Sequence, residues 1–185
     1  MQKNFLSSFY SVLIDFTEIL LIAVTVFILV YLFVGQLLEI TGESMFPTLH
    51  NSEQIVAEKI SIKISPLKRG EIVIVESPRE TKKLLVKRVI GLPGENILIK
   101  DNHIYINNQI IKEPYLDQSV QTSEGNTIKE NIEYSIENDS YVVMGDNRGK
   151  STDSRDYGAV RKDLIVGRAI FVYYPLNKIR LIKYS

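Results

Sequence analysis

Residues 19–38 run for 20 positions without a charged side chain, interrupted only by Thr25, Tyr31, Gly35 and Gln36. A helix of that length rises roughly 30 Å, the thickness of a bilayer's hydrocarbon core. The run also lacks the polar face that a helix packed on a soluble core turns toward water. A secretory leader has a shorter apolar part and leaves it through small residues, whereas this run leaves through Leu37-Leu38-Glu39. Ile19–Leu38 therefore reads as an uncleaved transmembrane helix, preceded by a short leader (residues 1–18) and followed by an anchored domain (residues 39–185). Charge does not assign the sides: the leader carries Lys3 and the terminal amine, but also Asp15 and Glu18.

Beyond the anchor, enough chain remains for one compact domain with a small appendage. The 22 basic and 22 acidic residues cancel, so no long-range field draws nucleic acid. Cysteine is absent, which excludes disulfides, thiolate metal sites and cysteine nucleophiles together. Either side of a membrane tolerates such a chain.

Past Glu39 the pattern turns to short runs of Val, Ile and Tyr bounded by Gly, Pro or Asn, which predict strands. They fall at Gln54–Ile60, Glu71–Glu76, Leu84–Ile90, Tyr141–Met144 and Ile165–Tyr174. Asn107-Asn108, between Ile104–Ile106 and Gln109–Ile111, reads as a two-residue hairpin turn, because Asn tolerates positive φ. Arg161–Ile165 suggests a brief helical turn, and the polar stretch Asp117–Asn138 a surface loop or weak extension.

Three segments carry chemistry. The first is Gly42-Glu43-Ser44-Met45-Phe46-Pro47-Thr48-Leu49, whose serine stands six residues past the apolar run. Pro47 fixes φ beside it. Ser44 is either a nucleophile or part of an ordinary turn. The second is Leu85–Glu95, where strand alternation sets Leu85, Lys87 and Val89 on one face and Val86, Arg88 and Ile90 on the other. A lysine buried there would lose much of its basicity and serve as a base near neutrality; alternatively it snorkels to water from an edge strand. With only His50 and His103 in the chain, lysine is the more natural base for a serine nucleophile. The third segment, Gly145–Gly158, is almost wholly polar or Gly. It is either a solvated loop or a support that orients the lysine amine and pairs arginines. As a metal loop it fails: Asp146, Asp153 and Asp156 lack EF-hand spacing, and Arg148, Lys150 and Arg155 would repel a cation.

With these segments in view, the chain resembles bacterial type I signal peptidases of the Ser–Lys kind, most of all the short Gram-positive form. The motifs are GESMFPTL at 42–49, RGEIVIV at 69–75, LVKRVIGLPGE at 85–95 and GDNRGKSTDSRDYG at 145–158, in order after an N-terminal anchor. The resemblance implies a mostly β fold: one transmembrane helix, then an antiparallel β catalytic domain with a small β extension at about 101–140. It implies a hydrolase of the plasma membrane, single-pass, whose extracytoplasmic domain removes signal peptides from exported preproteins. By the same resemblance Ser44 is the nucleophile and Lys87 the general base. Ser151 would orient the lysine amine, Asp153 and Arg155 would support that loop, and Arg88, Asp146, Asn147 and Arg148 would brace the structure. The substrate would lie extended along Glu39–Gly42 and Leu84–Val86, with Gly42, Met45, Pro47, Leu85 and Val86 as binding residues. Signal-peptide-bearing preproteins and membrane lipid are the implied partners, without nucleic acid, metal or organic cofactor. One departure stands out: where some relatives carry a serine that helps bind the oxyanion, this chain has Gly42, so the donor beside the Ser44 N–H is open.

Two rivals are weighed against this. Soluble self-cleaving Ser–Lys repressors share the dyad, but Ile19–Leu38 argues against them. A membrane-anchored binding protein on a degenerate scaffold would not need Ser44, Lys87, Ser151 and Asp153 intact. Asn138-Asp139-Ser140 matches a glycosylation sequon, which in this context reads as chance.

Overall fold

A computed structural model describes residues 2–33, 35–117 and 119–184, and within the first helix the side chains of residues 9–28. Val34, inside the uncharged run, and Gln118, inside the polar stretch, lie outside the described residues. The chain divides into two units, one N-terminal and one from Leu37 onward.

The N-terminal unit is a helix, α1 (Gln2–Phe33). Its window Phe9–Ile28 is long and apolar enough to cross a membrane by length and composition, and none of that window is buried within the protein. The boundaries differ from the expected 19–38. Helix continues back to Gln2, whereas Gly35–Glu39 is a strand, β1, placed beside β2 (Gln54–Glu58). An apolar run does not by itself separate a helix end from a strand, and Gly35 weakens the helical choice where partner backbone is at hand.

The second unit holds the expected short strands β3 (Ile72–Glu76), β4 (Leu84–Gly91), β6 (His103–Ile106), β7 (Gln109–Ile110), β9 (Ser140–Met144) and β11 (Ile165–Tyr174), and four that were not expected, β5 (Asn96–Lys100), β8 (Tyr134–Ser135), β10 (Val160–Arg161) and β12 (Arg180–Leu181). The larger sheet runs β1-β2-β11-β3-β4-β9-β10, with β12 on β11; the smaller runs β7-β6-β5-β8. Every strand pair whose register is described is antiparallel. Short helices α2 (Ser61–Ile64) and α3 (Ser154–Tyr157) lie between strands, and neither was expected. The turn expected at Arg161–Ile165 is a 3-10 turn over Lys162–Leu164. Asn107 and Asn108 take φ of 48° and 64°, the left-handed geometry that a two-residue hairpin demands.

Branched side chains alternating along these strands bury into three clusters. One gathers Ile40, Met45, Leu49, Ile55, Ile72 and Ile74, with Leu38 and Val86 against it. Another holds Val73, Val75, Val89, Val143 and Val160. The third joins Ile90, Val142 and Met144 to Ile97, Ile99, Ile104 and Ile106 of the small sheet. The small sheet already starts at Asn96, ahead of the stretch of about 101–140 expected for the extension, and of the two readings of Asp117–Asn138, surface loop or weak extension, the structure shows the second. Ile128 and Ile136 from that stretch are buried in the core, and Tyr134–Ser135 pairs with β5.

Candidate active site

Ser44 sits in the turn between β1 and β2. The turn is closed by Phe46 N–H to Glu43 O (3.1 Å) and Leu49 N–H to Met45 O (2.9 Å). Met45 and Leu49, four residues apart, plunge into the first core cluster and fix the turn, leaving Ser44 half-buried between them and the exposed Gly42 and Glu43. Met45 is therefore a packing residue; its side chain is 1% exposed and offers no surface to a substrate. Gly42 has φ +98°, a conformation that suits Gly alone, and its N–H donates to Asn51 Oδ1 at 2.8 Å. Pro47 is exposed and follows a cis peptide bond.

Lys87 comes from β4. Its Nζ donates to Ser44 Oγ at 2.8 Å, 43 positions apart in sequence. Lys87 is 3% exposed, and its Nζ makes no other hydrogen bond among the described residues. Burial pulls its pKa down from 10.5 to about 8. The nearby carboxylates of Asp153 and Asp146 work against that fall, and the charge of Arg155 adds to it. Leu85 and Val86, just before it, are half-buried.

The polar loop Gly145–Gly158 is a packed support. β9 pairs with β4 in the register Arg88↔Met144 and Val89↔Val143, so the chain leaves β9 at Gly145 directly beside Lys87 and Arg88. The loop then binds the serine turn through its backbone: Asn147 N–H donates to Ser44 O (3.0 Å) and Asn147 Nδ2 to Glu43 O (3.1 Å). Asp146 takes two bonds from the guanidinium of Arg88, from Nε at 2.8 Å and Nη2 at 2.7 Å, with both side chains buried. Thr48, from the serine turn, donates to the same Asp146 carboxylate and accepts from Arg88 Nη2 at 3.3 Å. Asp153 caps α3 and accepts from Gly145 N–H (3.0 Å) and from Arg155 Nε (2.8 Å) and Nη2 (3.0 Å). Burial opposes the Asp153 charge, but the Arg155 pair outweighs it and its pKa is lowered.

Ser151 departs from expectation. Its Oγ is buried without a hydrogen bond, so the bond to Lys87 is not formed. The hydroxyl lies close enough to Asp153 to favour its ionised form, yet outside hydrogen-bond geometry.

Residues not singled out in the sequence complete the site. A Cβ on Gly145 would come within 2.3 Å of Ser151 Oγ and 2.4 Å of Ser44 O, so a side chain is sterically barred there. Thr48 joins the serine turn, the lysine strand and the loop. Both stood inside the quoted motifs, where position alone could have flagged them. Glu113 and Tyr115 come from the extension: Glu113 pairs with Arg148, and the Arg88 guanidinium lies 3.8 Å from the Tyr115 ring centroid. No local signal in the sequence points to these two.

Comparison with known proteins shows what the chain is similar to. A family model described as "Signal peptidase, peptidase S26" matches residues 13–174. Signal peptidase I of Bacillus amyloliquefaciens is 37% identical over 177 residues, 94% of each chain. Signal peptidase I T of Bacillus subtilis is 37% identical over 175 residues, covering 92% of this chain and 90% of its own. A crystal structure of a signal peptidase I from Enterococcus faecalis aligns over 56% of this chain and 97% of its own, at 26% identity and a TM-score of 0.45. A buried lysine bonded to a serine, within a match that spans both motifs, leads to one family: the chain is a serine peptidase belonging to the signal peptidase family, peptidase S26.

Proposed function

We propose that the protein is a membrane-anchored endopeptidase that removes signal peptides from exported preproteins, with Ser44 as nucleophile and Lys87 as general base. The observation that carries the reading is the 2.8 Å contact between Ser44 Oγ and the Nζ of a lysine whose pKa burial has lowered to about 8. Within a unit or so of neutrality, a useful fraction of that amine is unprotonated and accepts the Ser44 proton.

The steps then follow. Lys87 Nζ takes the hydroxyl proton as Ser44 Oγ bonds to the scissile carbonyl carbon. The carbon–nitrogen bond breaks, and the Lys87 ammonium returns the proton to the leaving amine. Water enters, Lys87 removes its proton, and the new oxygen–carbon bond forms as the ester to Ser44 breaks. The proton passes back to Ser44 Oγ. The developing oxyanion needs donors, and the Ser44 N–H, which has no partner of its own among the described residues, is one. Gly42 supplies no hydroxyl, and its N–H is already given to Asn51. The reaction needs neither metal nor organic cofactor.

α1 would place the chain in the plasma membrane as a single-pass protein, its peptidase unit extracytoplasmic, where signal peptides emerge. Confining enzyme and preprotein to one bilayer raises their effective concentration. The substrate would add as an extended strand along Leu84–Val86. Among the described residues β9 pairs with β4 only from Arg88 onward, so residues 84–87 pair there on one side alone, with β3. Incubating the purified full-length protein with a preprotein tests the reading: cleavage by wild type, none by Ser44→Ala. Undiminished cleavage by Ser44→Ala would overturn it.

A further inference from the structure

We infer that Glu113, in the extension outside every motif quoted above, is a positioning residue for the reaction, acting through Arg148 on the Gly145–Asp146 turn. The inference rests on the Ser44–Lys87 reading and adds to it a control point in the part of the chain expected to be a small extension.

Three arginines are buried around the site, Arg88, Arg148 and Arg155, none more than 3% exposed. An uncompensated guanidinium in such a place is severely destabilising, so each requires a carboxylate. The loop itself supplies two, Asp146 for Arg88 and Asp153 for Arg155. Its remaining acid, Asp156, turns its carboxylate to Asn126 and gives Arg79 only a backbone carbonyl, so among the described residues that carboxylate pairs with no arginine. The third carboxylate is imported: Glu113 takes both terminal nitrogens of Arg148, Nη1 at 3.2 Å and Nη2 more closely, and Thr122 accepts a further bond from Nη1. Burial works against the Arg148 charge and the Glu113 pair more than restores it.

Arg148 in turn holds the loop. Its Nε donates to Gly145 O (3.1 Å), its N–H to Asp146 O (3.1 Å), and its own carbonyl accepts from Arg155 Nη2 (2.7 Å). Gly145 and Asp146 are the residues packed against Ser44 O and bonded to Arg88, the neighbour of Lys87. A second contact makes the coupling specific. Tyr115 donates its hydroxyl to Glu113 Oε1 at 2.7 Å while its ring lies against Arg88. The segment Glu113–Tyr115 thus grips the arginine beside the base and the arginine beside the loop at once. Releasing that grip lets the serine and lysine drift in relative placement without touching any substrate contact, which lowers turnover and leaves binding alone.

Glu113→Gln keeps the shape and removes the charge. In the full-length protein, kept well below the melting temperature of each variant, kcat should fall about tenfold, less than the ~100-fold that a 1 Å misplacement of reacting groups costs, with KM within about twofold. Arg148→Met should lower kcat similarly, and the double variant should be no slower than the slower single one, because the two act as a unit. Unchanged kcat in folded Glu113→Gln, a KM rise in place of the kcat fall, or additive losses in the double variant would each overturn the inference. Ser44→Ala runs alongside: cleavage persisting there would fault the Ser–Lys reading itself, while its abolition beside an unaffected Glu113→Gln would fault only the role of Glu113.

Discussion

The carbonyl oxygen of Ser44 accepts from the N–H of Asn147 at 3.0 Å, so the turn that carries the serine is tied by its main chain to the loop that follows β9. Gly145, two residues earlier, is pressed against the same carbonyl. The position of Ser44 relative to Lys87 is therefore set by backbone contact as well as by the side-chain bond between them.

This contact makes Gly145→Ala a sharp test. The added methyl would meet a carbonyl oxygen, which cannot swing aside as a flexible side chain does, along with Ser151 Oγ. The loop must retreat, and kcat should fall by about a hundredfold, on the scale that small misplacements of reacting groups cost. Steady-state peptide cleavage by folded protein measures it; near-normal turnover would mean that the loop does not set the serine's position.

Lys87 gives a prediction in pH. kcat/KM should rise through an inflection at about 8 as the amine loses its proton. Lys87→Met and Lys87→Arg should both be inactive, the first without a base and the second with a guanidinium that stays protonated. An inflection near the free-lysine value of about 10.4 would place the base in water.

The same lysine should leave a mark on stability. Between about 8 and 10.5 the unfolded chain holds a proton at Lys87 that the folded chain has released, so folding stability gains from this group as pH rises through that window. The full difference is about 3 kcal/mol, at 1.36 kcal/mol for each pH unit. Lys87→Met lacks the buried ammonium, so its stability relative to wild type should be highest below pH 8 and decline by that amount toward pH 10.5. Denaturant midpoints across the range would show it, and a parallel pair of curves would contradict it.

Asp153 should matter more for the fold than its neighbour Ser151. Asp153→Ala strands the buried Arg155, uncaps α3 and frees the Gly145 N–H, a loss of about 3 kcal/mol or more. That corresponds to roughly 10 °C in melting temperature for a domain of this size. Ser151→Ala removes a hydroxyl without a hydrogen bond and should change the melting temperature little. A fall in its kcat would then show that the hydroxyl reaches the lysine amine only once substrate is present.

Much of this was legible in the chain. Short branched runs announced β3, β4, β9 and β11 because alternation is a local property, and Asn107-Asn108 marked its own turn. Ser44 stood out by its place six residues past the apolar run, and Lys87 by its branched apolar neighbours in a strand. The helix end at Phe33 was not legible, since Gly35–Glu39 becomes a strand through pairing with β2, far along the chain. Nor was Glu113, whose partner Arg148 lies 35 positions away. Ordinary surface composition concealed an ion pair to a buried arginine.

The early strand also changes where the chain can be cut. Leu38 packs against the first core cluster and β1 lines the edge of β2, so removing residues 1–34 should leave a folded unit that cleaves a soluble peptide. Removing residues 1–38 strips that strand and should cost several degrees of melting temperature. Equal melting curves for the two truncations would show that β1 contributes nothing. In intact protoplasts, external protease should degrade the peptidase unit of the full-length protein; complete protection would reverse the proposed orientation.

A substrate that adds to the half-paired stretch of β4, as proposed, brings its own conformational equilibrium with it. A strand edge accepts only chain that is already straight, so a cleavage region spending 1% of its time extended binds about a hundredfold more weakly than one that is always extended. Residues that favour helix across the scissile bond would act as a kinetic lock even when every side chain fits. Helix-breaking residues just upstream would be the key, and rates across a peptide series of graded helicity should track the extended fraction.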